Sequence, residues 1–275
     1  MDWITALYEY DGSFQGLLCC VFDSYTRKER PLSIVCGTQE QTTLEPIHQV
    51  ITDSSHARRI SDSIRTRAPK AMPFIKRSFL TCLPEKELHI YRLICKLYED
   101  GPAFLRNPTD PAVYPLCTAL RHMSAELEKL RGFVRFSEFD GVYAAEIEPK
   151  NRVLPALRGH FCARFADQPF LIYDRTHKEV LLHAGGTWQI SPLDSFTMAR
   201  PDQKEALYRS LWKTFFDTIA IQSRSNRRCQ MNQLPLRYRA TMTEFQGEDF
   251  FKAREESSLP APPQFPSISH ADEQP

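Results

Sequence analysis

An α+β fold is what the sequence predicts: an antiparallel sheet with an Asp-Gly hairpin, packed against several helices, and a disordered C-terminal tail. Three observations carry this. Residues 42–131 read as mainly helical, with apolar residues at helical spacing from Leu88 and from Val113. The period drops to two on either side of Asp140-Gly141, a dipeptide suited to the φ > 0 positions of a two-residue turn. From Ser257 the chain reads Ser-Ser-Leu-Pro-Ala-Pro-Pro-Gln-Phe-Pro, where proline blocks regular backbone bonding and little apolar surface offsets ordering entropy. The expected organisation is a single α+β domain over 1–247, helical at about 42–131 and sheet-containing at about 132–200, with a proline-rich acidic tail over 248–275.

In order along the chain, Ile4 to Tyr10 is a short apolar segment and Asp11-Gly12 a turn. Ser13 can cap an amphipathic stretch from Phe14 to Tyr25, and Pro31 to Cys36 reads as a strand. Leu88, Tyr91, Ile94, Cys95 and Tyr98 keep helical spacing until Asp100-Gly101; Val113, Leu116, Leu120, Met123, Leu127 and Leu130 do so until Gly132. The Asp-Gly turn pairs Phe139 with Val142, Glu138 with Tyr143, Phe136 with Ala145, Arg135 with Glu146 and Val134 with Ile147. A helix over about Leu154–Ala166 precedes strands near Phe170–Asp174 and Val180–His183. A last helix, about Asp202–Ile221, carries Leu207, Leu211, Phe215 and Ile219 as its core stripe.

Composition narrows the function classes. The start, Met1-Asp2-Trp3-Ile4, has no basic n-region followed by an apolar stretch, so no signal peptide is expected, and the longest apolar run, Leu17 to Phe22, is far too short for a membrane span. The eight cysteines contain no C-x-x-C pair, so reduced thiols in a cytoplasmic protein are expected, not zinc or disulfides. No G-x-G-x-x-G, P-loop, G-x-S-x-G or H-E-x-x-H motif occurs, and no cofactor or metal is expected. Charge is segregated: from residue 244 onward seven acids oppose two bases. Removing these from the chain's 35 bases and 34 acids leaves 33 and 27, a formal +6 over residues 1–243. Such a body attracts polyanions.

Candidate site residues fall in five places. His160, Arg164 and Asp167 line up beside the apolar stripe Leu154, Leu157, Phe161 and Phe165, and could bind an anion or poise a proton donor next to one. The bland reading is an Arg164–Asp167 ion pair with a half-buried histidine. Glu138 beside Tyr143 could act as an acid or base, or sit solvated or paired at a strand end. Two basic stretches follow: 56–77, with seven bases against Asp62 alone, and 224–239, where Arg224, Arg227 and Arg228 flank Asn226 with no acid. Phosphate-backbone binding needs such clusters; a solvated face is the alternative. Asp174 could contribute from an adjacent strand, or be ordinary hairpin surface.

Several segments, in order and spacing, resemble a bacterial family catalogued as DNA repair or DNA metabolism proteins. They are Tyr10-Asp11-Gly12-Ser13-Phe14-Gln15-Gly16-Leu17-Leu18, Arg135-Phe136-Ser137-Glu138, His160-Phe161 with Arg164-Phe165, Ile172-Tyr173-Asp174, and Leu211-Trp212-Lys213 leading to Asn226. The resemblance implies a companion of a radical SAM protein that modifies or repairs DNA; a similar domain occurs fused to uracil-DNA glycosylase-type domains. It supplies no catalytic residues, and marks Arg135, Glu138, His160, Arg164 and Asp174 for testing. No C-x₃-C-x₂-C pattern occurs, so radical chemistry would belong to the partner.

Three functions are therefore expected in competition. The first is an accessory protein that binds DNA or a damaged base and works with a radical SAM partner. The second is an enzyme using His160 and Glu138 in acid–base chemistry on a nucleobase or nucleic-acid end. The third is a protein–protein scaffold without DNA contact.

Overall fold

A computed structural model describes residues 3–37, 45–198, 203–219 and 226–245. The chain divides into two compact units: residues up to Leu130 with Pro149–Leu157, and Arg131–Glu148 with the chain from Arg158 onward. The tail expected over 248–275 lies outside the described residues, as do the expected ends of the last helix at 202 and 220–221.

The first unit opens with strand β1 (Ile4–Tyr10), helix α1 (Phe14–Arg27) and strand β2 (Glu29–Cys36), followed by β3 (Ile47–Gln49). Both β2 and β3 pair with β1 in parallel, giving the order β2-β1-β3. A helix between two strands returns the chain to its starting end, so the second strand must run beside the first in the same direction. Pro31 sits in β2, an edge strand, where its missing N–H breaks no interior ladder; the register slips there between Ala6 and Leu7. Helices α2 (Ser54–Arg67), α3 (Ala71–Phe79), α4 (Lys86–Asp100) and α5 (Tyr114–Phe133) complete the helical region, with a 3₁₀ turn at Pro102–Arg106. Tyr8, Leu17, Ile64, Ile75, Leu93 and Leu116 are fully buried in one continuous core.

The Tyr10–Leu18 segment builds this unit. Tyr10 donates its hydroxyl to Glu87 on α4, at 3.1 Å. Asp11 accepts from the Ser13 amide and from the Thr52 hydroxyl, each at 2.9 Å, which ties the β1–α1 turn to the segment after β3. Ser13 caps α1 by accepting from the Gly16 amide. A Cβ on Gly16 would lie 2.8 Å from Thr52 Oγ1 and 2.9 Å from the Tyr10 ring, closer than packed atoms approach. These residues are thus occupied in holding the fold.

The second unit carries strands β4 (Ser137–Phe139), β5 (Val142–Ile147), β6 (Phe170–Asp174), β7 (Glu179–Ala184) and β8 (Thr187–Pro192), in that order across one sheet. Helix α6 (Leu154–Arg164) joins β5 to β6, and these two strands pair in parallel; the other neighbours are antiparallel. Helices α7 (Gln203–Ile219), α8 (Arg227–Gln233) and α9 (Leu236–Arg239) follow.

The expected single antiparallel sheet is therefore corrected, among the described residues, to two sheets, one wholly parallel and one mixed. The helical crossovers α1 and α6 are the physical cause. The Asp140-Gly141 turn has both residues at positive φ, 49° and 82°, and closes pairs Phe139–Val142, Glu138–Tyr143 and Ser137–Ala144. The pairs expected beyond these are absent. Ala145, Glu146 and Ile147 keep β6 alone as their ladder partner, because Arg135 turns away to bond Glu244.

Candidate functional site

In the second unit Glu138 and Tyr143 are cross-strand partners, and ring contacts of Tyr143 and Phe136 reach Phe161 and Phe165, the neighbours of His160 and Arg164. Glu138 is partly exposed, and its carboxylate lies 3.8 Å from Lys204. Tyr143 stacks on Phe165 at 5.7 Å, within an aromatic group that joins Phe136 to Phe161, Phe165 and Phe170. His160 is half-buried edge-on to Phe161, and its Nε2 is buried with no hydrogen-bond partner. No hydrogen bond joins His160 to Glu138. Arg164 is exposed, with its guanidinium 5.8 Å from the Phe165 ring, and Asp167 is exposed.

Arg135 and Asp174 are engaged internally. Arg135 donates from Nε and Nη2 to Glu244, at 3.1 and 2.8 Å, and from Nη1 to the Gly132 carbonyl, while its guanidinium faces Trp212. Asp174, fully buried, accepts from the Thr176 and His177 amides and lies 2.7 Å from His177 Nδ1. Both therefore serve turn and docking geometry. Arg224 and the side chain of Arg227 lie outside the described residues; Asn226 and Arg228 are exposed. On α7 the expected core stripe of Leu207, Leu211, Phe215 and Ile219 is instead more than half exposed at each position among the described residues.

The first unit holds the stronger electrostatic feature. Helix α2 buries Ala57, Ile60 and Ile64, and α3 buries Ala71, Met72, Ile75 and Phe79. That periodicity forces the bases outward: Arg58, Arg59, Arg65, Arg67, Lys70, Lys76 and Arg77 are all exposed. Asp62 is the single acid of the stretch, 3.7 Å from Arg58 and 3.5 Å from Arg65. Arg59 lies over the Phe22 ring and Lys76 over Phe14, both on α1. The cation–π contacts hold these two side chains beside α1 and leave their charge available. At the start of α2, hydrogen bonds from the Ser55 hydroxyl and from the His56 and Ser55 amides hold the Asp53 carboxyl down at about 2.

Where α2 ends, a cleft of about 810 Å³ opens between the α2–α3 connection, the end of α4, the 3₁₀ turn and the start of α5. Arg67, Lys70 and Arg106 are its cations and Asp100 its acid; Phe74, Leu105, Val113 and Cys117 are among its apolar walls. The stretch 56–77 announced Arg67 and Lys70 in the sequence. Arg106 and the apolar walls carry no local signal, because only the packing of four separate segments brings them together. A second cleft, about 310 Å³, is bordered by Cys82, Tyr114 and His122.

The sequence model of a domain of unknown function, DUF4130, matches residues 84–244, more than half of the chain. No curated protein and no solved structure matches. The match corrects the vocabulary that the resemblance implied: the matching family is described as of unknown function, with no mention of DNA repair, DNA metabolism, DNA binding or a radical SAM partner. Among the described residues no group of three or more His, Cys, Asp or Glu side chains could hold a metal ion, and no helix is long and apolar enough to cross a membrane.

Proposed function

We propose that the chain, which belongs to the DUF4130 family of unknown function, is a binding protein that holds a polyanion, the phosphate backbone of a nucleic acid, against the outer faces of α2 and α3. The observation that carries this reading is the row of seven exposed bases opposed by Asp62 alone. In a chain whose formal net charge is only +1, such a row is a local excess that the overall composition does not require. Phosphate binding by lysine and arginine needs exposed, unopposed cations and no catalytic geometry. The reading rests on this charge placement and not on the family description.

The test is fluorescence anisotropy of labelled single- and double-stranded oligonucleotides against the full chain and against the Arg59→Gln, Lys76→Gln, Arg77→Gln triple variant. Salt-sensitive binding that the triple variant weakens supports the reading; binding that is absent, or insensitive to the substitutions, refutes it.

One observation favours an enzyme instead: the buried, unpartnered Nε2 of His160. Acid–base catalysis with Glu138 would require the carboxylate to leave Lys204 and reach the imidazole. Turnover of a nucleic-acid substrate that disappears in both His160→Ala and Glu138→Gln, with binding retained, would favour catalysis over simple holding.

A further inference from the structure

We infer that the cleft at the end of α2 receives a single unstacked nucleotide, its base between the apolar walls and its phosphate at the cations of the rim. This rests on the reading of the α2–α3 face as a phosphate-backbone surface, and it names what that surface would feed into the unit.

Three properties of the cleft point to this ligand. Its volume, about 810 Å³, lies in the range of small-molecule sites and exceeds what an inorganic anion needs. Its walls include an aromatic ring, Phe74, with Leu105 and Val113, the surface on which the π-face of a base gains stacking and dispersion contacts whatever its identity. Its cations converge from two places in the chain: Arg67 and Lys70 from the α2–α3 connection, Arg106 from the end of the 3₁₀ turn. With Asp100 the four charges sum to +2, matched to a phosphate carrying one to two negative charges. Guanidinium groups bind phosphate through paired N–H donors, which suits Arg67 and Arg106. Arg67 is held for this by the Tyr98 carbonyl, which accepts from Nη1 at 3.4 Å, and by the Tyr98 ring, 5.2 Å away.

Position adds a further argument. Arg67 and Lys70 belong both to the cationic stretch and to the cleft rim, so a strand tracking along α2 meets Asp62 alone among acids of the stretch before it arrives at the cleft. An apolar ligand without charge would leave the three cations unused, and an anion without an apolar body would leave the walls wet.

Cys117 provides the readout, because it lines the cleft and is half-buried, while Cys36 is exposed elsewhere in the same unit. The experiment measures iodoacetamide alkylation of Cys117 in the full chain by peptide mass mapping, with Cys36 as internal control. It is run with adenosine 5′-monophosphate, with adenosine, with inorganic phosphate and with a single-stranded oligonucleotide. The mononucleotide, at about ten times its Kd, is expected to slow alkylation of Cys117 about tenfold and to leave Cys36 unchanged. Arg106→Glu should weaken that protection about tenfold or more, whereas the Arg59, Lys76, Arg77 triple variant, whose changes lie outside the cleft, should retain it. Protection by inorganic phosphate equal to that by the mononucleotide would overturn the nucleotide assignment in favour of simple anion binding. Salt-sensitive oligonucleotide binding with Cys117 unprotected would overturn the cleft and leave the backbone reading standing. Absence of oligonucleotide binding with Cys117 still protected by the mononucleotide would remove the backbone reading alone, and absence of both would remove both.

Discussion

Replacing Arg59, Lys76 and Arg77 with glutamine removes three of the seven exposed bases on α2 and α3, and the structure sets the size of the effect. Arg58 and Arg65 share the Asp62 carboxylate at 3.7 and 3.5 Å and count for little. Five bases remain for phosphates: Arg59, Arg67, Lys70, Lys76 and Arg77. With each duplex phosphate contact worth about 0.9 in the slope of log K against log salt, full engagement gives about −4.5, and affinity falls about 500-fold between roughly 50 and 200 mM salt. The triple variant keeps two contacts, for a slope of about −1.8 and a fall of about 12-fold over the same range. Losing the cation–π contacts of Arg59 with Phe22 and Lys76 with Phe14 costs about 1–2 kcal/mol of stability together, so thermal unfolding is measured in parallel. Anisotropy titrations of a labelled duplex across a salt series give both slopes. A parental slope shallower than about −2, or a folded triple variant with an unchanged slope, would refute the assignment of these bases to phosphate contacts.

Three further outcomes follow from the packing. Glu126, buried on α5, accepts from the Lys150 and Asn151 amides at 3.0 Å each and from the Asn151 side chain at 2.6 Å; Glu126→Ala strands these donors and is expected to cost about 3–5 kcal/mol, read by urea unfolding. Gly16→Ala forces a methyl group against Thr52 and Tyr10 and should lower stability by about 1–3 kcal/mol; a Tm within a degree of the parent would contradict the close approach. Burial, reinforced by the Glu29 and Glu87 carboxylates, pushes the Tyr8 and Tyr10 phenols well above their ordinary value of 10.0. A raised folded-state value means that the stabilisation is complete below pH 10 and lost as pH rises beyond it. Chemical unfolding at pH 8 to 11 should therefore show a decline beginning near pH 10, smaller in a Tyr8→Phe, Tyr10→Phe variant. A flat profile would contradict it.

Local chemistry made much of the secondary structure legible. Leu88, Tyr91, Ile94 and Tyr98 mark α4, and Ser13 marks the start of α1, because helical spacing and a capping hydroxyl act within a few residues. Asp140-Gly141 specifies its turn and the first pairs of the hairpin through backbone φ alone. Partner choice was less legible. Val134 to Phe136 has the alternation of a strand, yet Arg135 finds a buried carboxylate 109 residues away at Glu244 and leaves the ladder.

What the sequence determined by itself is where α1, α4, α6 and the Asp140-Gly141 turn lie and that residues 56–77 carry bases with one acid, since both depend on neighbours along the chain. Tertiary structure alone decided that the sheets number two and that one is parallel, because strand direction follows from how a crossover helix packs. It also decided that Arg106, Phe74 and Val113 face a common cleft with Arg67 and Lys70. Residues up to 50 positions apart, Arg67 and Cys117, meet there only through burial of the helices that carry them, and no local rule contains that distance.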